Sequence, residues 1–424
     1  MKTKAVRIYG KNDLRLEEFE LPNLNENEIL AQVICDSICM SSYKATKQGP
    51  EHKRIPDDIH INPTIIGHEF SGNILKVGSK WQHKFESGMK FSIQPAINYA
   101  DGPVGILSAP GYSYKYIGGD ATYIIIPNEV MAQDCLLPYT GKGYYPGALA
   151  EPLSCVIGAM HANYHTEPGT YNHRMDIVDG GNMALLASAG PMGLAAINYI
   201  INRNDRKPRL LVVTDIDQTR LDKASMLFPS EDAAKKGIDL RYLNTSINSQ
   251  PVNEMMAITN GKGFNDVFVF APVGKVIEQA DEILAFDGCL NFFAGPDDPK
   301  FKASFNFYNV HYNYTHIVGT SGGNSDDINE ALSIMAKDLD PAGLITHIGG
   351  LDAVIETTKN LPSIPGGKKL MYTNISLPLM ALSDFEEKEK SDPLFNNLAQ
   401  LIKQSKGLWN AEAEEYLMRN AKGI

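Results

Sequence analysis

Cys39, the Gly67-His68-Glu69 triplet and Glu151-Pro152-Leu153 stand in chain order ahead of a glycine-rich turn at Ser188 to Gly193. A thiolate, an imidazole and carboxylates are the donors of an open zinc site, where three or four protein ligands leave a position for water or substrate. Taken singly each residue has a plainer role, because buried cysteines and histidines are usually packing residues. Together, and ahead of a nucleotide-binding pattern, they predict a metal site working beside a redox cofactor.

That pattern is Ala184-Leu185-Leu186-Ala187-Ser188-Ala189-Gly190-Pro191-Met192-Gly193, an apolar strand running into a tight turn and then a helix. The helix N-terminus would face a pyrophosphate, and small residues would let the backbone approach it. Ser188 stands where the usual fingerprint has its first glycine. A second apolar strand, Leu210 to Thr214, ends at Asp215, whose carboxylate is expected to accept the ribose hydroxyls and so to favour NAD over NADP. Arg220, one helical turn on, pulls the other way, since it could meet a 2′-phosphate or stack on adenine.

The elements that must hold these residues fall into two patterns. The first 150 residues are rich in short β-type runs: 29–34, 65–77, 90–93 and 121–127. From about 152, apolar strands alternate with helical stretches, the mark of a parallel sheet covered by helices. Six strands are predicted at 183–187, 210–214, 240–243, 266–271, 288–294 and 315–319, with helices near 191–203, 219–228, 250–259 and 274–285. The chain is α/β: a β-rich catalytic domain (1–155), a doubly wound six-stranded parallel dinucleotide-binding domain (156–325), and 326–424 returning to the first domain before a C-terminal helical extension. In that extension Leu394, Leu398, Leu401 and Ile402 recur at helical spacing, which predicts two helices packed on the surface or on a partner.

With 424 residues the chain is long for one core. Its net charge of −11 disfavours general nucleic-acid binding. Five widely spaced cysteines suit free thiols in a reducing compartment, and the charged N-terminus leaves no room for an apolar signal, so a cytoplasmic enzyme is expected. The uncharged run 183–201 is long enough to cross a bilayer. Its Gly190-Pro191-Met192-Gly193 centre favours a strand, a turn and a buried helix instead, and no membrane association.

Pro63 to Gly72 with Val77-Gly78, Ser37 to Ser41, Gly118 to Tyr123, Glu151 to Ser154 and Gly190 to Gly193 together resemble the zinc-containing medium-chain dehydrogenases, in that family's order over residues 1 to about 375. Glutamate-proline-leucine at 151–153 points to the polyol dehydrogenase branch. Further segments, among them 43–57, 126–137, 291–296 and 306–312, are similar to the L-sorbose-1-phosphate reductases within it. The resemblance implies a GroES-like catalytic domain beside a Rossmann domain. It implies one catalytic zinc on Cys39, His68, Glu69 and Glu151, with either glutamate as ligand or as holder of the zinc water. Ser41 would pass the proton, and Ala294 would join Ser188, Gly190, Pro191, Met192, Gly193, Asp215 and Arg220 at the cofactor. The cofactor would be NAD(H), with NADP(H) left open. The implied reaction is reversible reduction of L-sorbose 1-phosphate to D-glucitol 6-phosphate in a homodimer or homotetramer.

Three departures from the family qualify this. Ser42 replaces the aspartate that usually supports the metal-bound histidine, so weaker metal affinity is expected. Lys44 replaces the histidine that ends the proton path. Residues 95–119 contain no cysteine, so no structural zinc is expected there. For a substrate phosphate, Lys44, Lys47, Lys53 and Arg54, with His52, crowd into eleven residues opposed only by Glu51. Tyr112, Tyr114, Lys115 and Tyr116 are rival lining residues. The alternatives are a polyol dehydrogenase acting on an unphosphorylated sugar alcohol and a zinc-free, non-catalytic nucleotide-binding relative.

Overall fold

The structure, a computed structural model, describes residues 1–247 and 249–424. They form two compact units: 1–151 with 331–424, and 152–330. The first unit is thus assembled from both ends of the chain.

In the first unit an eight-stranded sheet runs in the order Met380–Ala381, Ile345–Gly350, Lys368–Tyr372, Ile29–Ile38, Phe70–Val77, Lys90–Ile93 and Leu136–Tyr139, with Tyr123–Ile126 also paired to Ile29–Ile38. A smaller sheet joins Asp13–Glu20, Lys2–Gly10 and Thr64–Ile65. The pleat sends Ile29, Ala31 and Val33 into a core with Phe70, Ile74, Phe91 and Ile93. Farther along the same strand Ile34 and Cys35 join a second core with Leu370 and Tyr372.

That second core explains the C-terminal extension. Helices Leu394–Gln404 and Ala411–Asn420, preceded by the short Phe385–Lys388, bring Phe385, Phe395, Leu398, Ile402, Trp409 and Leu417 onto Ile34, Ile348, Leu370 and Tyr372. The extension therefore covers this chain's own sheet. Trp409 is fully buried, and its Nε1 donates to Tyr372 Oη at 2.7 Å. Tyr372 Oη in turn donates to Glu414 Oε1 at 2.8 Å. The Glu414 carboxylate also accepts from the amides of Tyr144 (2.5 Å) and Tyr145 (2.9 Å), and so caps the helix Tyr145–Ala162 from a distant part of the chain.

The second unit holds six parallel strands in the order Asp239–Asn244, Leu210–Asp215, Asn182–Leu186, Phe264–Val269, Leu284–Phe292 and His316–Val318. This is the 3-2-1-4-5-6 order of a doubly wound dinucleotide-binding sheet. All five residues of Asn182–Leu186 are buried, as a central strand covered on both faces requires. Each of the six predicted strands has a counterpart, and the run 183–201 folds as strand, turn and buried helix Pro191–Asn202. No helix among the described residues is long and apolar enough to cross a membrane. Sequence reading passed over the hairpin Tyr164–Thr166/His173–Met175 and the helix Ser230–Lys235, both short and without strong periodicity.

Candidate active site

Antiparallel pairing builds the candidate metal centre. Strand Ile29–Ile38 pairs with Phe70–Val77 through Cys35↔Ser71 and Asp36↔Phe70. Cys39, just past the first strand, therefore meets His68 and Glu69, just before the second. Ser37 N donates to Glu69 O at 3.0 Å, and Glu69 N donates to Asp36 Oδ1 at 3.0 Å, which pins the turn to the strand. One donor atom each from Cys39, His68 and Glu69 lies within 4.8 Å of the others, as ligands sharing one ion must. Glu151 is buried but outside that group, and its charge bears on Cys39 and Lys368.

His68 is held by hydroxyls. Ser42 Oγ lies 3.3 Å from Nδ1, and Ser41 Oγ and Tyr112 Oη each lie 3.3 Å from Nε2. The serine at 42 keeps the supporting contact without the charge of an aspartate. Ser41 Oγ is also 3.0 Å from Cys39 Sγ. Burial lowers His68 to about 4, so the imidazole is neutral, the form that binds metal. Burial, with the Glu69 carboxylate beside it, pushes the Cys39 thiol up to about 12. A divalent cation reverses that second shift, because a coordinated thiol gives up its proton. A neutral imidazole, a thiol and an ionised carboxylate fit a zinc ion.

Lys368 was missed by sequence reading. Strand Lys368–Tyr372 pairs with Ile29–Ile38 through Lys369↔Ile38, which sets Lys368 across from Cys39. Its Nζ lies 2.5 and 2.6 Å from the two Glu69 oxygens, with 7% of the lysine side chain and 1% of the glutamate exposed. Burial draws the ammonium downward, but the Glu69 charge outweighs it and the group ends above its ordinary value. Glu69 in turn is held below the usual carboxylate range by Lys368 despite its burial. Both partners are charged. The available signal was a lysine opening an apolar strand, where a buried cation needs an acid.

Gly67 gives the turn its shape. It has φ +91°, and a Cβ there would sit 2.7 Å from Asp120 N and 2.9 Å from Asp36 Oδ2. Gly88 has the same φ with nothing within 4 Å, which makes a matched control. Gly67→Ala is expected to destabilise the first unit by about 2–4 kcal/mol and Gly88→Ala by about 1 kcal/mol, strain plus overlap against strain alone. Denaturant midpoints measured side by side test this, and equal losses would show that the space around Gly67 is irrelevant.

Of the basic loop, Arg54 and His52 gather at Tyr112. Lys47 is exposed beside the Tyr43 ring, and Lys53 is exposed. Among the rival tyrosines only Tyr112 reaches His68; Tyr116 packs toward Phe19, and the Tyr114 hydroxyl is pushed up by burial and then by the neighbouring Glu129.

In the second unit the phosphate loop follows strand Asn182–Leu186. Ala187 occupies the left-handed region at φ +54°, and Ser188 Oγ donates to Leu185 O at 2.8 Å. Gly190 caps the helix Pro191–Asn202 without a side-chain bond, and a Cβ on it would meet nothing within 4 Å, leaving room for a phosphate. Pro191 and Met192 form the helix's first turn. A Cβ on Gly193 would lie 1.7 Å from Ser188 O, so close packing of helix on strand requires that glycine. Asp215 is buried, and its carboxylate accepts from the amides of Ala189 (3.1 Å), Ile216 (2.8 Å) and Asp217 (3.1 Å). It ties the strand tip to the phosphate loop. The N-cap of the next helix is Asp217, whose carboxylate lies 3.5 Å from the exposed Arg220. Ala294 follows strand Leu284–Phe292, with its amide on Val269 O at 3.0 Å.

Comparison with known proteins agrees with both units. Residues 25–137 match the family model "Alcohol dehydrogenase GroES-like domain" and residues 207–337 match "Zinc-binding dehydrogenase". The chain belongs to the zinc-binding dehydrogenase family and is an oxidoreductase of the alcohol dehydrogenase type. It is 48% identical to the L-sorbose 1-phosphate reductase of Klebsiella pneumoniae, over 100% of this chain and 98% of that one. It is 47% identical to the mannitol-1-phosphate 5-dehydrogenase of Aliivibrio fischeri, over 98% and 97%, and 53% identical to an uncharacterized protein of Escherichia coli, over 99% and 97%. Among solved structures, the Thermotoga maritima alcohol dehydrogenase superposes with a TM-score of 0.70 at 18% identity, over 88% of this chain and 100% of that one, and shares the fold.

Proposed function

We propose that this enzyme reduces a ketose phosphate to the hexitol phosphate with NAD(P)H, reversibly, and that L-sorbose 1-phosphate is its substrate. The observation that carries the chemistry is the convergence of Cys39, His68 and Glu69 on one position. The phosphorylated substrate is supported by two relatives spanning nearly the whole chain, both named for hexose or hexitol phosphates.

Cys39, His68 and Glu69 would hold the ion, with Glu151 near enough to bear on it by charge. A bound zinc supplies Lewis-acid polarisation of a carbonyl, and a reduced nicotinamide supplies hydride. The protein's own groups do the rest. Lys368 keeps Glu69 ionised. Ser41 Oγ, within 3.3 Å of both Cys39 Sγ and His68 Nε2, would donate the proton that completes the alcohol and take it back in the reverse direction. Tyr112 Oη offers a second hydroxyl for a sugar oxygen.

NAD(H) is favoured. Two carboxylates, Asp215 at the strand tip and Asp217 at the N-cap of the next helix, would repel a 2′-phosphate, and Arg220 is already beside Asp217. The edge strand His316–Val318, with Ile317 exposed, is the candidate for pairing with a second copy in a dimer or tetramer.

The test measures bound metal and turnover together, with NADH and NADPH, on L-sorbose 1-phosphate, fructose phosphates and free ketoses. Wild-type protein should carry zinc and prefer a phosphorylated ketose. Cys39→Ser should lose the metal and about 10³-fold in kcat/KM. A Cys39→Ser protein that keeps both its metal and its rate would overturn the reading.

A further inference from the structure

The proposed reaction leaves open which groups take the phosphate. We infer that Arg54 and His52, gathered at Tyr112, form the seat for the phosphate monoester of the substrate, an inference that rests on the ketose-phosphate reading. The Arg54 Cζ lies 6.0 Å from the Tyr112 ring centroid, and its Nη1 donates to Leu107 O at 2.8 Å. Its Nε and Nη2 have no protein partner among the described residues. His52 stacks on Tyr112, with centroids 5.7 Å apart and 10° between planes. Its Nδ1 accepts from Arg54 N at 3.3 Å, and its Nε2 has no protein partner among the described residues. Open guanidinium and imidazole donors around one aromatic ring match phosphate oxygens, which guanidinium groups bind in pairs.

Two observations separate this seat from an ordinary solvated basic loop. The first is convergence in space. His52 is lowered to about 4 by burial and then by Arg54, Lys53 and Lys44, with no carboxylate among the causes. Glu51, the acid within the loop, pairs instead with Lys11 at 3.9 Å. The second is connection to the reacting position. Tyr112 carries the seat on its ring and places its hydroxyl 3.3 Å from His68 Nε2, with the two ring centroids 4.8 Å apart. One small molecule can therefore present its carbonyl at His68 and its phosphate at Arg54. Lys47, beside Tyr43, lies outside this arrangement.

The experiment compares kcat/KM for L-sorbose 1-phosphate and for free L-sorbose in wild type, Arg54→Met, Arg54→Lys, His52→Gln and Lys47→Gln, with inorganic phosphate as an inhibitor competing with the ketose. Arg54→Met should lower kcat/KM for the phosphorylated ketose about 100-fold while the free ketose changes less than about threefold. It should also weaken phosphate inhibition about tenfold or more. Arg54→Lys should restore part of the loss, His52→Gln should show a smaller selective loss, and Lys47→Gln should behave as wild type. Equal losses on both ketoses, or a raised KM for NADH with free ketose, would overturn the seat. So would a phosphorylated-substrate preference that survives Arg54→Met. A wild-type enzyme with no such preference refutes the ketose-phosphate reading itself; the seat then stands or falls on whether Arg54→Met weakens inhibition by inorganic phosphate.

Discussion

Lys368→Met is expected to destabilise the metal-free protein by about 3–5 kcal/mol, because it strands the Glu69 carboxylate in a site where 1% of that side chain is exposed. The dominant effect is the uncompensated charge, and the lost attraction is secondary. Lys368→Met/Glu69→Gln, which removes both charges, should therefore recover most of the loss in a double-mutant cycle. The pH dependence follows by sign. In the wild type Glu69 is held below its ordinary 4.5, so its contribution is present above pH 4.5 and is lost as pH falls through the lower folded value. In Lys368→Met, burial, the largest influence on Glu69, is opposed by His68 and the Ser37 hydroxyl but no longer by the ammonium, so the folded value rises and the penalty should be absent in acid and grow as pH rises past about 4.5. Urea midpoints across pH on chelator-treated protein would measure this. If the single variant is as stable as wild type at neutral pH, the pair is not what holds Glu69 ionised.

Removal of residues 383–424 is expected to abolish folding of the first unit. Phe385, Phe395, Leu398, Ile402, Trp409 and Leu417 leave the second core, each worth about 1.5–3 kcal/mol of burial, so the sum is on the order of 10 kcal/mol. Native domains have about 5–15 kcal/mol in total. Ile34, Ile348, Leu370 and Tyr372 would be uncovered at the same time, and the helix at Tyr145 would lose its Glu414 cap. The truncated chain should be recovered insoluble or with the first unit unprotected in hydrogen exchange, while residues 152–330 keep their own protection. Trp409→Ala is the milder form, expected to cost about 3–5 kcal/mol. A truncated protein with an unchanged unfolding midpoint would mean the extension is peripheral.

Much of this architecture was readable in the residues, for specific reasons. The parallel sheet declared itself because its strands are apolar runs separated by amphipathic helices, and Gly190-Pro191 punctuates the one run long enough to mislead. Cys39, His68 and Glu69 stood out because each is a ligand type flanking a strand end. Lys368 did not, since its pairing with Glu69 spans 299 positions and depends on the register of two strands. Asp215 was legible as a carboxylate at a strand tip, whereas its bonds to three neighbouring amides are a property of the folded turn. The left-handed backbone of Ala187 was not legible, because alanine rarely takes that conformation. The extension's helical spacing was visible, but whether its apolar face met this chain or another was not.

The division of the first unit between both ends of the chain governs the order of events during synthesis. Cys39, His68 and Glu69 leave the ribosome early, and the second unit, continuous from 152 to 330, can close while the rest is still being made. Strand Lys368–Tyr372 and the covering helices arrive last. Until then the nascent thiol, imidazole and carboxylate have neither the ammonium that steadies them nor the sheet edge that encloses them, and the growing polypeptide is at its most vulnerable to oxidation and to capture of the wrong ion.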